Sequence, residues 1–223
     1  MAVVAVVAAV LVGVAVWVYL SLDQLVKRAI EDYGTEILQA AVTVERVKLA
    51  PADGTGELRG LAIGNPKGFR TAHAATAGTI EIAVDPLTVA KDLVVVKRIV
   101  VVTPNITYEP GARGSNFDAM QRNIDHYLGA DKAGAKRSGS RKLIVERLTI
   151  KGARLSYSPP VMSGKASVLF NLPDIQLTNV GKGRGGVTPG ELTKIVVDAL
   201  VARIAEAMGR SAIQRGVESL LGR

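Results

Sequence analysis

The hydrophobic pattern of the chain opens with a long uncharged stretch and continues as alternating, strand-like segments. Residues 1–22 carry no charged side chain, residues 2–20 are almost wholly apolar, and the first charge is Asp23. At about 1.5 Å per residue, a helix of this length matches the ~30 Å hydrocarbon layer of a bilayer. The pattern predicts a transmembrane anchor over residues 1–22, which holds the rest of the chain beside a membrane.

A cleaved signal peptide would look different from this stretch. Such a signal has a basic first part, a short apolar core and small residues at the cleavage site. Here the basic part is missing, and the run ends in Trp17, Val18, Tyr19 and Leu20. Trp and Tyr are enriched where a membrane helix meets water. A retained anchor is therefore favoured over both a signal peptide and a buried core helix.

The charges beside the anchor give a weak indication of its orientation. No basic side chain precedes the apolar run, whereas Lys27 and Arg28 follow it closely. Cytoplasmic flanks carry an excess of Lys and Arg, so these two cations favour a cytoplasmic body.

The apolar periodicity continues past the anchor at helical spacing. This pattern predicts an amphipathic helix over residues 23–41 that packs against the body of the protein. The residues of the stripe are Leu22, Leu25, Val26, Ala29, Ile30, Tyr33 and Ile37.

Three strand-like segments share the pattern Val-x-Arg-apolar-x-apolar. They begin at Val44, Val96 and Val145, so their offsets are 52 and 49 residues. Residues 105–110 (NITYEP) also align with residues 154–159 (RLSYSP) at the offset of 49. We interpret the recurrence as a repeated strand-turn-strand unit.

Further patterns complete the predicted fold. Alternating strands are expected at residues 56–63, 79–85, 166–171 and 174–180, and the nearly all-apolar run 93–102 is expected to be covered on both faces. Capping boxes at Ser115–Asp118 and Thr188–Glu191 predict the starts of two helices. The expected fold is α+β and mainly β: a curved, mostly antiparallel sheet of repeated strand units over residues 42–187, with flanking helices and a C-terminal amphipathic helix over residues 188–223.

Composition limits the chemistry and locates a basic region. The chain has no cysteine, which excludes disulfides, thiolate metal sites and a cysteine nucleophile, and its net charge is +8.

Residues 130–154 hold eight Lys and Arg, and the small, basic residues 130–141 predict a mobile loop. The nearest acidic partner of a membrane-tethered protein is anionic lipid, and the alternative is a solvated basic loop. Nucleic acid is not expected as a partner, because few aromatic side chains are present for base stacking. The residues predicted to contact anionic lipid are Lys132, Lys136, Arg137, Arg141, Lys142, Lys182 and Arg184.

No pattern in the sequence predicts catalysis, a metal or a cofactor. The run at residues 181–186 matches G-x-G-x-x-G, but the strand and acidic residue that a dinucleotide site requires do not follow it, so a flexible hinge is expected. A second option for this turn is that its cations and the amides of the next helix start meet a lipid phosphate. His73 and His126, the two histidines, lie in different segments, and Glu109 is expected to be a solvated surface carboxylate.

One run of the sequence resembles a known family. Residues 54–69 (GTGELRGLAIGNPKGF) are followed by an IEIAVD strand, the short segment 86–92, a VKRIVV strand and a PNITYE segment. This order, after an N-terminal membrane helix, is similar to the N-terminal region of AsmA-like proteins. The resemblance implies a single-pass protein of the bacterial inner membrane with a periplasmic body, which replaces the orientation favoured by the charges. It also implies a role in envelope biogenesis and supplies no catalytic residues.

Two functions follow as hypotheses. The first is a non-enzymatic, membrane-anchored module of envelope and lipid homeostasis that holds acyl chains on an apolar sheet face. The second is a structural or accessory subunit of a larger membrane complex, which the short length of the chain favours. The expected partners are membrane lipids and either a membrane protein or a second copy of this chain.

Overall fold

The computed structural model describes residues 21–132, 141–158 and 168–220, and of residues 131–132 and 210–220 it describes the backbone alone. Residues 1–20, which include most of the predicted anchor, and residues 133–140 of the predicted loop lie outside the described residues. Among the helices of the described part, none is both long and apolar enough to cross a membrane.

The fold is α+β and mainly β. Three helices accompany the strands: α1 (residues 21–38), α2 (Asn116–Lys132) and α3 (Pro189–Leu220). Short 3-10 turns cover Pro86–Thr88 and Lys182–Arg184. The strands are β1 (Val42–Ala50), β2 (Thr55–Gly64), β3 (His73–Val84), β4 (Leu93–Val102), β5 (Asn105–Tyr108), β6 (Pro110–Gly111), β7 (Gly114–Ser115), β8 (Lys142–Lys151), β9 (Arg154–Tyr157), β10 (Val168–Asn171) and β11 (Ile175–Val180).

Nine of the strands form one curled, half-barrel sheet, and β6 and β7 form a separate small hairpin. β1, β2 and β3 pair antiparallel in sequence order, and the far side of β3 pairs with both β4 and β5. β4 and β5 then pair parallel to β8 and β9, whose other sides pair antiparallel with β11 and β10. The predicted curved, mostly antiparallel sheet is confirmed, with one parallel junction that the sequence pattern did not reveal.

The offset of the sequence repeat is the register of this parallel junction. Leu93 lies opposite Lys142 at one end, and Tyr108 lies opposite Tyr157 at the other, which is 49 residues in both cases. The rings of Tyr108 and Tyr157 stack with their centroids 6.0 Å apart. Residues at equivalent positions of the repeat therefore lie side by side on neighbouring strands. α2 provides the crossover that a parallel pair of strands needs.

The expected strand-turn-strand unit is wrong in its middle part. Each strand continues in line after a break, at residues 103–104 and again at residues 152–153, instead of turning back. The copy that begins at Val44 differs further, because β1 runs opposite to β4 and leads into the hairpin with β2.

The recurring Val-x-Arg-apolar pattern marks a local departure from strand alternation. In β1 the exposed Glu45 and Arg46 separate the buried Val44 and Val47, and in β8 two exposed residues separate Val145 from Leu148 in the same way. Simple alternation would place residues three apart on opposite faces. In β4 the same pattern coincides with a register shift in the pairing to β3. The motif is therefore a signature of irregular strands that keep both flanking residues on the apolar face.

The breaks in neighbouring strands lie side by side. Thr103 and Gly152 occupy equivalent positions, and both have left-handed backbones, with φ of 47° and 58°. The Thr103 amide donates to the carbonyl of Lys151 at 2.7 Å, and the Gly152 amide donates to the Asp174 carboxylate at 3.0 Å. Three breaks therefore lie at one level of the sheet: between β4 and β5, between β8 and β9, and, at Asp174, between β10 and β11.

Replacing Gly152 with alanine is expected to lower the free energy of unfolding by about 1–2 kcal/mol. The left-handed backbone disfavours a Cβ, and the new Cβ would lie 3.2 Å from Cγ2 of Thr103. Gly78→Ala is the matched control, because Gly78 is an exposed strand glycine whose Cβ would meet nothing within 4 Å. Chemical denaturation of both variants checks the prediction, and equal losses would contradict it.

The helices cover the apolar face of the sheet. α2 and α3 lie side by side, with the Lys194 ammonium 2.8 Å from the Asp125 carboxylate and Gln121 donating to Asp198 at 2.8 Å. The core between these helices and the sheet contains Phe117, Met120, Ile124, Val145, Leu148, Leu155, Val197 and Ile204, among others. Val26 and Ile30 of α1 pack on a second cluster of Val44, Val47, Leu58, Ala77 and Ile80.

Two expectations about burial need correction. The run 93–102 is not covered on both faces, because Val102 is 44 % exposed and within β4 only Val96 is fully buried. The predicted stripe of α1 divides into two rows. Val26 and Ile30 face the sheet, whereas Leu25 and Tyr33 are about half exposed.

α1 also covers the free edge of the sheet at β1. The amides of Leu49, Val44 and Val42 donate to the side chains of Asp23, Glu31 and Thr35, at 3.0, 2.8 and 3.0 Å. An edge strand with unpaired amides invites pairing with other chains, and these side chains satisfy those amides. The order of the contacts shows that α1 runs antiparallel to β1.

Removing one of these edge contacts gives a local prediction. Glu31→Ala is expected to cost about 1 kcal/mol, because the Val44 amide loses its acceptor, and to speed hydrogen exchange at Val44. Asp32→Ala, on the exposed side of the same helix turn, is the control. Unchanged exchange at Val44 in Glu31→Ala would contradict the assignment of Glu31 as an edge cap.

Candidate functional site

One end of the sheet collects most of the predicted lipid-contacting residues. We call it the β4–β8 end: it comprises the turn 51–54, the connection 85–92, residues 141–142 and the turn 181–187. Backbone hydrogen bonds join these segments: Val84 donates to the carbonyl of Gly54 at 2.7 Å, and Lys142 to that of Asp92 at 2.8 Å. The Leu143 amide donates to the carbonyl of Val187, also at 2.8 Å.

A hydrogen-bonded turn at this end exposes two apolar side chains. The Asp85 carboxylate accepts from the Leu87 amide at 3.1 Å, and Thr88 bridges the turn to β4 by accepting from the Val95 amide at 2.9 Å. The side chain of Leu87 is 80 % exposed and that of Val89 is 44 % exposed. Burial of a leucine contributes about 1.5–3 kcal/mol, which is the stabilisation available to whatever covers Leu87.

Four of the seven predicted lipid-contacting residues lie at this end of the sheet. Arg141 donates from Nη1 to the carbonyl of Val89 at 2.7 Å, and Lys142 is exposed at the start of β8. Lys182 and Arg184 are exposed on the 3-10 turn that packs beside β8. Lys136 and Arg137 lie outside the described residues, and Lys132 ends α2 with a side chain that is also outside them.

Sequence reasoning missed two contributors to this surface. Lys91 adds a fifth exposed cation, and the exposed Leu87 lies in a segment that looked like an ordinary connection. Three carboxylates, those of Asp53, Asp85 and Asp92, lie in the same segments, and Asp85 is occupied by the Leu87 amide. The described part of this end thus has a small cationic excess around an apolar tip.

The glycine-rich turn packs closely against β8 at Gly181 and Gly186, whereas a Cβ on Gly183 or Gly185 would meet nothing within 4 Å. Gly181, Gly185 and Gly186 have left-handed backbones, and a Cβ on Gly186 would lie 2.7 Å from Cβ of Lys142. The amide of Gly186 donates to the carbonyl of Gly181 at 2.9 Å. The glycines therefore allow the turn to approach β8 closely and present Lys182 and Arg184 at its surface.

The start of α3 provides its own cap. The Thr188 amide donates to the Glu191 carboxylate at 2.8 Å, and the Glu191 amide donates to Oγ1 of Thr188 at 3.2 Å. This reciprocal pair confirms the predicted capping box. The amides of Thr188 and Glu191 are consequently occupied, so a phosphate at this turn would be contacted by the cations and not by these amides.

A second polar cluster surrounds Glu109, which is 2 % exposed. Its carboxylate accepts from the backbone amides of Arg70 and Thr71 at 2.9 and 2.8 Å, from the Thr71 hydroxyl at 2.7 Å and from Nε of Arg70 at 3.2 Å. Asn116 accepts from the Glu109 amide at 3.0 Å and donates to Asn65 at 2.8 Å. The expectation of a solvated carboxylate is wrong, because this network ties the loop before β3 to the start of α2.

The hydrogen bonds determine the charge state of Glu109. Burial alone would raise the pKa of the Glu109 carboxyl, but the bonds from Thr71 and Arg70 outweigh it and hold the pKa below its ordinary value. A carboxylate with this many donors is stabilised in its charged form and is poorly suited to take up a proton. We assign the cluster a structural role.

The two histidines lie on different elements of the fold. His73 is exposed at the start of β3 and borders a cleft of about 350 Å³ with Thr71, Thr76, Asn105 and Ser156, whereas His126 is exposed on α2. Within the described part of the chain, no three His, Asp or Glu side chains come close enough to hold a metal. In comparisons with known proteins, the sequence matches no family model and no curated protein.

Proposed function

We propose that the protein is a non-enzymatic, membrane-anchored module that acts in lipid and envelope homeostasis, as the resemblance to AsmA-like proteins implies. The body would then be periplasmic and tied to the inner membrane by residues 1–22. One observation carries the proposal: the uncharged stretch leads directly into α1 along the sequence, and α1 hydrogen-bonds to the sheet edge from Asp23 onward. Such a junction would fix the body relative to its anchor.

Acyl chains are the ligands that the apolar face of the sheet would accept. Val96, Val145 and Leu148 provide branched aliphatic surface on this face, and each buried methylene of a lipid tail contributes about 0.8 kcal/mol. In the described structure α2 and α3 cover these residues. Acyl binding therefore requires these two helices to move away from β4 and β8.

A row of exposed apolar side chains on α1 favours the second candidate function, that of a subunit of a membrane complex. Leu25 and Tyr33 are 52 % and 48 % exposed, and Ala29 between them is exposed as well. Residues four apart lie on one helix face, so these three form a stripe directed away from the sheet. A partner helix in or beside the membrane fits such a stripe.

Photo-crosslinking with phospholipids that carry a diazirine in the acyl chain distinguishes the two functions. The full chain is labelled in membranes, and the modified residues are identified by mass spectrometry. Acyl carriage predicts adducts on the apolar face, for example at Val101, with the exposed Val102 of the same strand as an internal control. Adducts restricted to residues 1–22 favour the subunit function. In that case, protein–protein cross-linking in the same membranes should join a stoichiometric partner to Tyr33. The absence of both lipid adducts and a partner would contradict both functions.

A further inference from the structure

The path of α1 shows that residues 1–20 join the body at the β4–β8 end, and we call this point the chain entry. Asp23 contacts Leu49 at the end of β1, whereas Thr35 contacts Val42 at its beginning. Ser21 therefore lies near the turn 51–54, whose Gly54 accepts a hydrogen bond from the Val84 amide beside the exposed turn. The apolar stretch 1–20 joins the body at the same end that displays Leu87.

We propose that the β4–β8 end is the surface with which the body contacts an anionic bilayer. Leu87 and Val89 insert among the headgroups, while Arg141, Lys142 and the cations of the 3-10 turn contact lipid phosphates. The inference rests on the proposed anchoring and adds the orientation of the body and the residues that hold it.

Two independent features favour a lipid surface as the occupant. The chain enters here from an uncharged stretch of about membrane-spanning length. An exposed leucine on a hydrogen-bonded turn, with cations at the same end of the sheet, combines the apolar and electrostatic contributions that hold proteins at an interface. The opposite end of the sheet exposes Leu169 at 76 % and carries Lys67 and Arg113, but it lacks the chain entry and serves as a natural control.

Single-cysteine labelling tests the proposal, because the chain has no cysteine of its own. Leu87→Cys and Leu169→Cys variants of the full chain are labelled with an environment-sensitive fluorophore and reconstituted into phosphatidylcholine vesicles with and without phosphatidylglycerol. We expect the label at residue 87 to be shifted to the blue and quenched by nitroxide lipids, more strongly with phosphatidylglycerol. The label at residue 169 should behave as it does in water.

Charge reversal tests the role of the cations. In Leu87→Cys protein that also carries Lys142→Glu, Lys182→Glu and Arg184→Glu, the docked-to-undocked ratio should fall more than about a hundredfold, because each of the three lost cations contributes about 1 kcal/mol near an anionic surface and the added carboxylates are repelled by it. Lys67→Glu with Arg113→Glu is the matched control at the opposite end and should leave the ratio unchanged. Unaltered quenching in the triple variant would overturn the assignment of these cations.

Flotation of the vesicles separates failure of this inference from failure of the proposed function. If the labelled chain floats with the vesicles while residue 87 stays in water, the anchor is retained and the docking surface is overturned. Quenching at residue 169 instead of residue 87 would likewise overturn it. A chain that does not float would contradict the proposed anchoring itself.

Discussion

Replacing Glu109 with glutamine is expected to lower the free energy of unfolding by about 3–5 kcal/mol, the cost of breaking a buried charged network. The amide group of glutamine would point a donor at a site that already contains donors from Arg70 and Thr71. Because Glu109 itself is only 2 % exposed, the backbone amides of Arg70 and Thr71 that it accepts from would face a buried side chain instead of water once the charge is lost. The loop before β3 and the start of α2 should loosen together.

Urea denaturation of the full chain in detergent micelles, followed by circular dichroism, measures this loss. Glu81→Gln is the matched control, because Glu81 is exposed on the outer face and stands 4.0 Å from Arg98. Surface pairs of this kind contribute about 0–1 kcal/mol. A loss at Glu109 no larger than that at Glu81 would show that the buried network does not stabilise the fold.

The same network predicts a pH dependence. The pKa of Glu109 is lower in the folded state than in the unfolded chain, so the unfolded chain binds the proton more readily. The stabilisation is therefore complete above the ordinary glutamate pKa of about 4.3 and is lost as the pH falls through the lower folded value. Denaturation at a series of acidic pH values should show this loss in the unaltered chain and a weaker pH dependence in Glu109→Gln.

Replacing Ile124 with alanine is the second change with a large expected effect, about 2–5 kcal/mol. Ile124 of α2 is 0 % exposed and belongs to the core between the helices and the sheet. Its truncation removes apolar contacts and leaves a cavity beneath α2. Arg122→Ala, on the exposed side of the same helix, is the control and should change stability by no more than about 0.5 kcal/mol.

The result for Ile124 also bears on acyl carriage. If α2 and α3 are permanent parts of the core, the loss should match that of other core truncations. A loss below about 1 kcal/mol would contradict tight packing of α2 on the sheet and would favour a movable cover over the apolar face.

The sequence predicted much of the fold because its regularities are local. The capping box at Thr188, the alternating strands and the offset of 49 residues are patterns whose physical causes lie within a few residues or in one repeated unit. The offset proved to be the register of the parallel junction between β4 and β8. The parallel direction itself was not predictable, because β1 carries the same motif and runs the opposite way.

The sites were harder to predict because they depend on distant contacts. Glu109 has no unusual neighbours in the sequence, and its donors Arg70 and Thr71 are almost forty residues away. The exposure of Leu87 follows from the way Asp85 and Thr88 fix its turn, and hydrophobicity alone gives no sign of it. By contrast, the runs of basic residues were visible at once, and four of the seven named residues lie together at the β4–β8 end.

Alkaline extraction of membranes that contain the full chain tests the central claim most directly. The account predicts that the protein stays in the membrane pellet through a carbonate wash and enters solution only with detergent, because an uncharged apolar stretch of this length is stable in the hydrocarbon layer. Recovery of the intact chain in the carbonate supernatant would contradict the anchor, and with it both the proposed lipid role and the docking surface around Leu87.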